Sequence, residues 1–139
     1  MPKIPSKKVI LAFSGGLDTS FLVPYLIEKG YDVYTATVNT GGFSAGEMAA
    51  IAKKSKDLGA YGHQAIDAVS ELYTDFVIKI IQANYLRGGV YPACVGPERI
   101  VAAKKIAELA SKMGITTVAH GSTGAGNDQV RFDLCLRAI

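Results

Sequence analysis

The sequence predicts an α/β fold, a Rossmann-like parallel sheet with helices on both faces. Three observations carry that expectation. Short β-branched runs alternate with segments of helical periodicity along the whole chain. The first run, Val9-Ile10-Leu11-Ala12-Phe13, is continuously apolar, as a strand covered on both faces must be. Segments rich in glycine and hydroxyls directly follow the runs, where open parallel sheets place their ligand loops.

The elements follow in order. Residues 9–13 form the first strand and break at Ser14-Gly15-Gly16. Residues 18–29 read as a helix, with Lys29 in its last turn and Gly30 as its stop. Pro24 should kink that helix or shift its start. Residues 33–38 alternate and are rich in Val, Thr and Tyr, a second strand broken by Thr40-Gly41-Gly42. A helix over 45–58 stops at Gly59, and a short strand over 64–66 ends at Asp67. Ser70 is placed to cap a helix from 71 to about 85, where Leu72, Phe76 and Ile80 recur every fourth residue. Residues 87–92 read as a loop. A helix over 98–113 carries Ala102, Ile106, Leu109 and Met113 on one stripe and ends at Gly114. A strand over 115–120 runs into the segment 121–128, and residues 129–139 begin another helix.

Composition bounds the answer. At 139 residues with 49% hydrophobic and 19% charged residues, the chain has the size and composition of one domain with a buried core. The net charge of +3 is mild and fixes no partner. The cysteines, Cys94 and Cys135, form no Cys-x-x-Cys pair. They are expected to be ordinary buried or half-buried thiols in a reducing compartment, not a disulfide framework or zinc site. The amino terminus has no signal-peptide pattern, and the 9–13 run is too short to span a membrane. The expected setting is cytoplasmic, without membrane.

The loops carry the chemistry. Ser14-Gly15-Gly16, Asn39-Thr40-Gly41-Gly42, Asp67 and the 121–128 segment should all map to the carboxyl rim of the sheet. Ser14-Gly15-Gly16-Leu17-Asp18-Thr19-Ser20 turns the chain from strand to helix, where amides and the helix dipole favour an anion. That suits a phosphate or pyrophosphate; the plainer reading is a turn with Asp18 or Ser20 as N-cap. The string matches neither the Walker A nor the Gly-x-Gly-x-x-Gly pattern. His120 at a strand end reads as a packed or hydrogen-bonded histidine rather than a base. His63, Lys53, Lys54 and Lys56 read as surface, and Tyr85 by itself as core.

Ser-Gly-Gly-x-Asp-x-Ser after a buried strand resembles the pyrophosphate loop of the N-type ATP pyrophosphatases, of adenine nucleotide alpha hydrolase-like fold. The string at 12–20, Ala-Phe-Ser-Gly-Gly-Leu-Asp-Thr-Ser, resembles that of argininosuccinate synthases. His-Gly-Ser-Thr-Gly-Ala-Gly-Asn-Asp-Gln-Val-Arg-Phe-Asp at 120–133 is more specific to that family. The resemblance implies a ligase of arginine biosynthesis and the urea cycle that adenylates the ureido oxygen of citrulline with ATP and Mg²⁺, then lets the aspartate amine displace AMP.

By resemblance, ATP would be held by Ala12, Phe13, Ser14, Gly15, Gly16, Leu17, Asp18, Thr19, Ser20, Val38 and Gly121. Thr123, Asn127 and Asp128 would bind aspartate. Tyr85, Asn127 and Arg131 would bind citrulline. Asp18 could also help to hold Mg²⁺, and no metal site of the protein's own is implied. After Tyr85 the family commonly has a Thr-Ser pair, where this chain has Gly89-Val90. The family's chain is about three times longer, so residues 1–139 are expected to be its single ATP-binding domain without the synthetase domain. An exposed apolar face is then expected to self-associate or to meet that domain. Two other readings stay open: a nucleotide-binding module without catalysis, and another N-type ATP pyrophosphatase. Against a tRNA-modifying version stand the lack of a Cys-x-x-Cys pair and of a strong basic patch, so no nucleic acid is expected.

Overall fold

Four parallel strands order as β3-β2-β1-β6, from β1 (Lys7–Ala12), β2 (Tyr31–Asn39), β3 (Gly62–Asp67) and β6 (Val118–His120). The computed structural model describes residues 7–93, 95–124 and 126–139. β1 lies inside the sheet with neighbours on both edges, and Val9, Ile10 and Leu11 are all fully buried. Alternate residues of β1 serve different cores, as the two-residue strand period dictates. Val9, Leu11 and Phe13 meet Val23 of α1 (Leu17–Glu28) and Ile51 of α2 (Ala45–Asp57). Ile10 meets Ile106 and Ala110 of α5 (Val95–Met113), with Leu136 of α6 (Asn127–Ala138) at the edge. Helices therefore cover both faces.

Local chemistry explains most of the boundaries and several departures from expectation. α1 starts at Leu17 with Gly16 at its N-cap, so neither Asp18 nor Ser20 caps it, and it runs through the exposed Pro24 rather than starting after it. Its end is the expected one: Gly30 adopts φ +86, which only glycine takes without strain. α2 opens on a capping box, in which the Glu47 amide donates to Ser44 Oγ and the Glu47 carboxylate accepts from the Ser44 amide.

The expected 71–85 helix is broken. It consists of α3 (Val69–Leu72), a π-helical turn (Tyr73–Val77) and α4 (Ile78–Gln82). Ser70 is not its cap. The Val69 amide donates instead to Asp67 Oδ1 at 3.0 Å. The Thr74 hydroxyl donates back to the Ser70 carbonyl at 3.0 Å and competes for an acceptor the α-helical ladder would use. Asn84 at φ +46 ends the run, so Tyr85 lies beyond the helix and is 54% exposed, not core. The expected loop at 87–92 contains a small hairpin, β4 (Leu86–Arg87) and β5 (Tyr91–Pro92), turned by Gly88 and Gly89 at positive φ.

α5 starts three residues earlier than expected, and its deepest side chains are Val101, Ala103, Ile106 and Ala110. The expected stripe is rotated. Leu109 and Met113 sit at the core's margin, and Ala102 faces the ligand rim described below.

His63 is not surface either. Its Nδ1 lies 2.8 Å from Thr35 Oγ1, which is also 2.6 Å from Ser55 Oγ, while His63 Nε2 is buried with no hydrogen-bond partner among the described residues. Cys135 on α6 is half-buried, and Cys94 lies outside the described residues. Among the described residues no helix is long and apolar enough to cross a membrane.

Candidate functional site

The strand order reverses between β1 and β6, because the chain moves outward through β2 and β3 and then crosses back to the other side of β1. In sheets of this type a crevice opens at that point, beyond the carboxyl ends of the strands. A cleft of about 430 Å³ lies there. Ala36, Val38, Ala102, Ile106 and Phe132 make one wall apolar, while Ser14, Gly16, Asp18, Thr19, Gly121 and Ser122 make the other polar. A second cleft of about 500 Å³ adjoins it, sharing Asp18, Gly121, Ser122 and Asp128 and adding Thr123, Gly126, Asn127 and Arg131.

The loop after β1 is held by its own hydroxyls. Ser14 Oγ lies 3.3 Å from Thr19 Oγ1, and Ser20 Oγ donates to the Gly15 carbonyl at 3.3 Å. Phe13 fixes its entry, since the Phe13 amide donates to Ala36 O at 2.8 Å and Thr37 Oγ1 donates to Phe13 O at 2.6 Å. Gly15 has φ +74 and lies against Ile51 of α2. Because no side chain among the described residues caps α1, its first turn offers amide donors and the positive end of its dipole to the cleft. That end can take an anion such as a phosphate, and the apolar wall can take a planar ring.

The segment after β6 is clamped at both ends. The Ser122 amide donates to His120 Nδ1 at 3.2 Å, and His120 Nε2 lies 3.1 Å from Asp133 Oδ1. With Nδ1 accepting, the ring proton sits on Nε2, and neither nitrogen is free to act as a base. Asp133 also accepts from Gln129, and the bonds from His120 and Gln129 hold its carboxyl below the ordinary range. At the other end, Asp128 accepts from Arg99 Nε at 3.1 Å and from Arg131 Nη1 at 3.0 Å. Burial pushes the Asp128 carboxyl up, but the two guanidinium groups outweigh it and hold it below its ordinary value.

The structure brings most of the expected residues together. Ala12, Phe13, Ser14, Gly16, Leu17, Asp18, Thr19, Val38 and Gly121 line the first cleft, and Thr123, Asn127, Asp128 and Arg131 line the second. Gly15 and Ser20 belong to the loop but line neither cleft, and Tyr85 lies outside both. Thr40 lines the first cleft from the rim loop where the sequence put it, although with no role assigned, whereas sequence reasoning missed Glu98, Arg99 and Phe132. Thr40 Oγ1 donates to Glu98 Oε1 at 2.9 Å, tying the loop after β2 to the first turn of α5. The adjacent charges of Glu98 and Arg99 at the start of an otherwise striped helix were the available signal. Among the described residues no three acidic, histidine or cysteine side chains gather as a metal site.

A family model described as the arginosuccinate synthase N-terminal HUP domain matches residues 8–139. Argininosuccinate synthase of Xanthomonas campestris pv. campestris is 43% identical over 134 residues, 96% of this chain and 34% of its own length. The same enzyme of Staphylococcus saprophyticus subsp. saprophyticus is 40% identical over 133 residues, 96% of this chain and 33% of its own. The chain thus spans about a third of the length of these curated relatives. Among solved structures, the NH3-dependent NAD synthetase of Campylobacter jejuni aligns at TM-score 0.64 and 16% identity, covering 87% of this chain and 49% of its own. A tRNA methyltransferase subunit of Methanocaldococcus jannaschii aligns at TM-score 0.59 and 23% identity, covering 87% and 55%. These two likenesses show a shared fold alone.

Proposed function

We infer the function from one premise: the chain belongs to the argininosuccinate synthase family and matches that family's N-terminal HUP domain. It is the ATP-binding, adenylating domain of a carbon–nitrogen ligase that joins citrulline to aspartate in arginine biosynthesis. One observation carries this reading. The two strings that resemble the family, 12–20 and 120–133, meet and together line one cleft at the switch point of the sheet.

In this reading adenine rests against Val38 and the apolar wall, and the phosphates lie along Ser14, Gly16, Thr19 and Gly121. Citrulline's ureido oxygen attacks the α-phosphorus, and the bond from that phosphorus to pyrophosphate breaks, with the electron pair leaving on pyrophosphate. The aspartate amine then attacks the ureido carbon. AMP leaves carrying the former ureido oxygen, and the amine nitrogen gives up a proton. No side chain is asked to be a nucleophile. The protein supplies position and electrostatic stabilisation, with the first turn of α1 facing the charge that develops on pyrophosphate.

Thr123, Asn127 and Asp128 hold aspartate, the Asp128 carboxylate facing its ammonium group. Asn127 and Arg131 hold citrulline, with the Arg131 guanidinium offering a donor fork to its carboxylate. Tyr85 joins them on the resemblance alone. For Mg²⁺ the donor set suits an ion bound chiefly by phosphate oxygens and water, with Asp18, at the junction of both clefts, as a protein carboxylate. When bound with ATP, the ion neutralises charge on the departing pyrophosphate. The reaction involves neither nucleic acid nor membrane, and its setting is cytoplasmic.

Pyrophosphate release from Mg-ATP, measured on this chain with and without citrulline, tests the reading. Citrulline-dependent release is the expected result. Nucleotide binding with no release under either condition would reduce the chain to a binding module.

A further inference from the structure

Lys54 stands outside everything assigned above. It is exposed on α2, yet its Nζ donates to the Gly15 carbonyl at 2.7 Å, across 39 positions of sequence. Ile51, one turn earlier on the same helix face, packs against the same glycine, where an added Cβ would lie 3.1 Å from Ile51 Cγ1. The Gly15 carbonyl accepts from Ser20 Oγ as well. Two donors and one apolar contact therefore converge on a single peptide group of the phosphate loop.

That convergence has a geometric consequence. The Gly15–Gly16 peptide is trans, so its carbonyl and its N–H point in opposite directions. A carbonyl turned out toward Lys54 turns the Gly16 N–H the other way, where it donates a long bond of 3.4 Å to Ser14 Oγ, and both Gly16 and Ser14 line the cleft. Two successive glycines give that peptide unusual freedom to rotate. A rotation would aim a carbonyl oxygen at the phosphates in place of an amide donor.

We propose that Lys54 is a positioning residue of the phosphate site: by holding the Gly15 carbonyl outward it keeps the Gly16 amide directed at the phosphate chain of a nucleotide. The inference rests on the reading that residues 14–20 take the triphosphate. It assigns Lys54 an effect on phosphate recognition and none on the base.

The test is equilibrium titration of the full chain with Mg-ATP and, separately, with AMP, alongside thermal unfolding. Lys54→Ala is expected to raise the Kd for Mg-ATP about fivefold, the scale of one charge-assisted hydrogen bond partly screened by solvent. The Kd for AMP and the unfolding midpoint should not change, since an exposed lysine adds little to stability. Lys54→Arg should restore Mg-ATP affinity. Lys53→Ala, which removes a neighbouring lysine paired to Asp57, should change nothing. An unaltered Mg-ATP affinity in Lys54→Ala, or an equal loss for Mg-ATP and AMP, would overturn the inference. A wild-type chain that binds no Mg-ATP would instead overturn the phosphate-loop reading, and the role of Lys54 with it.

Discussion

Gly121 stands so close to Thr19 that a Cβ on the glycine would lie 2.9 Å from the Thr19 Cγ2 methyl. The end of β6 and the first turn of α1 thus meet backbone to side chain, and Thr19 is buried and already bonded to Ser14 and Gly16. Gly121→Ala must push the two apart. Overpacking of this kind costs about 1–3 kcal/mol, and the Kd for Mg-ATP is expected to rise about tenfold or more as the loops separate. Urea unfolding and a nucleotide titration of the variant check both effects.

Gly15 faces two constraints at once, φ +74 and the Ile51 side chain 3.1 Å from where its Cβ would be. Gly15→Ala should destabilise the chain by about 1–3 kcal/mol, the range for a non-glycine residue in sparsely populated backbone space. Ile51→Ala removes both γ carbons, and with them the contact, but leaves the backbone strain. A Gly15→Ala cost in urea unfolding that is smaller in the Ile51→Ala background than in the wild type, yet not zero, would separate the two contributions.

Asp128 is held between Arg99 and Arg131, so its carboxylate stays charged throughout the neutral range. Asp128→Asn removes that charge while leaving the apolar wall of the first cleft untouched. The expected outcome is loss of aspartate dependence with Mg-ATP affinity kept within about twofold, a change too small to matter on the free-energy scale. Titrating aspartate against the pyrophosphate-release assay, beside a nucleotide titration, distinguishes the two.

His63 gives stability a pH dependence. Burial lowers its pKa below the ordinary value of about 6.5, so the unfolded chain binds more protons than the folded chain just below that value. Stability from the neutral ring is therefore complete above about pH 6.5 and is lost as pH falls through that value toward the lowered folded one. Unfolding free energies at pH 7.5 and pH 5.5 should fall together with acid in the wild type and fall less in His63→Gln. Equal losses would show that His63 is not the titrating group. Asp133 and Glu71, both lowered, act only at more acidic pH.

Much of this was legible in the sequence, for physical reasons. A strand buried on both faces must be apolar throughout, so residues 9–13 announced the middle of the sheet. Glycines that a backbone needs at positive φ, such as Gly30 and Gly59, marked where helices end. The rim loops could be placed because in a parallel sheet all carboxyl ends lie on one side. Other features depend on what the fold brings together. The partner of Lys54 is 39 positions away, and Arg99 meets Asp128 only because α5 and α6 pack together. His63 read as surface from sequence, and three of the six residues of its own strand are indeed exposed. Its burial comes from Ser55 and Thr35, which reach it from α2 and β2. At the π-helical turn the Thr74 hydroxyl bonds back to the Ser70 carbonyl, a contact that the fourfold recurrence of Leu72, Phe76 and Ile80 does not reveal.

The central claim is that the switch-point cleft is the nucleotide site, and amide chemical-shift mapping of this 14.7 kDa chain on adding Mg-ATP tests it most directly. The account predicts that the largest changes fall on Gly15, Gly16, Thr19 and Ser20, on Val38 and on Gly121, with residues of the β4–β5 hairpin unmoved. Shifts centred on that hairpin, or a spectrum unaltered by saturating Mg-ATP, would contradict it.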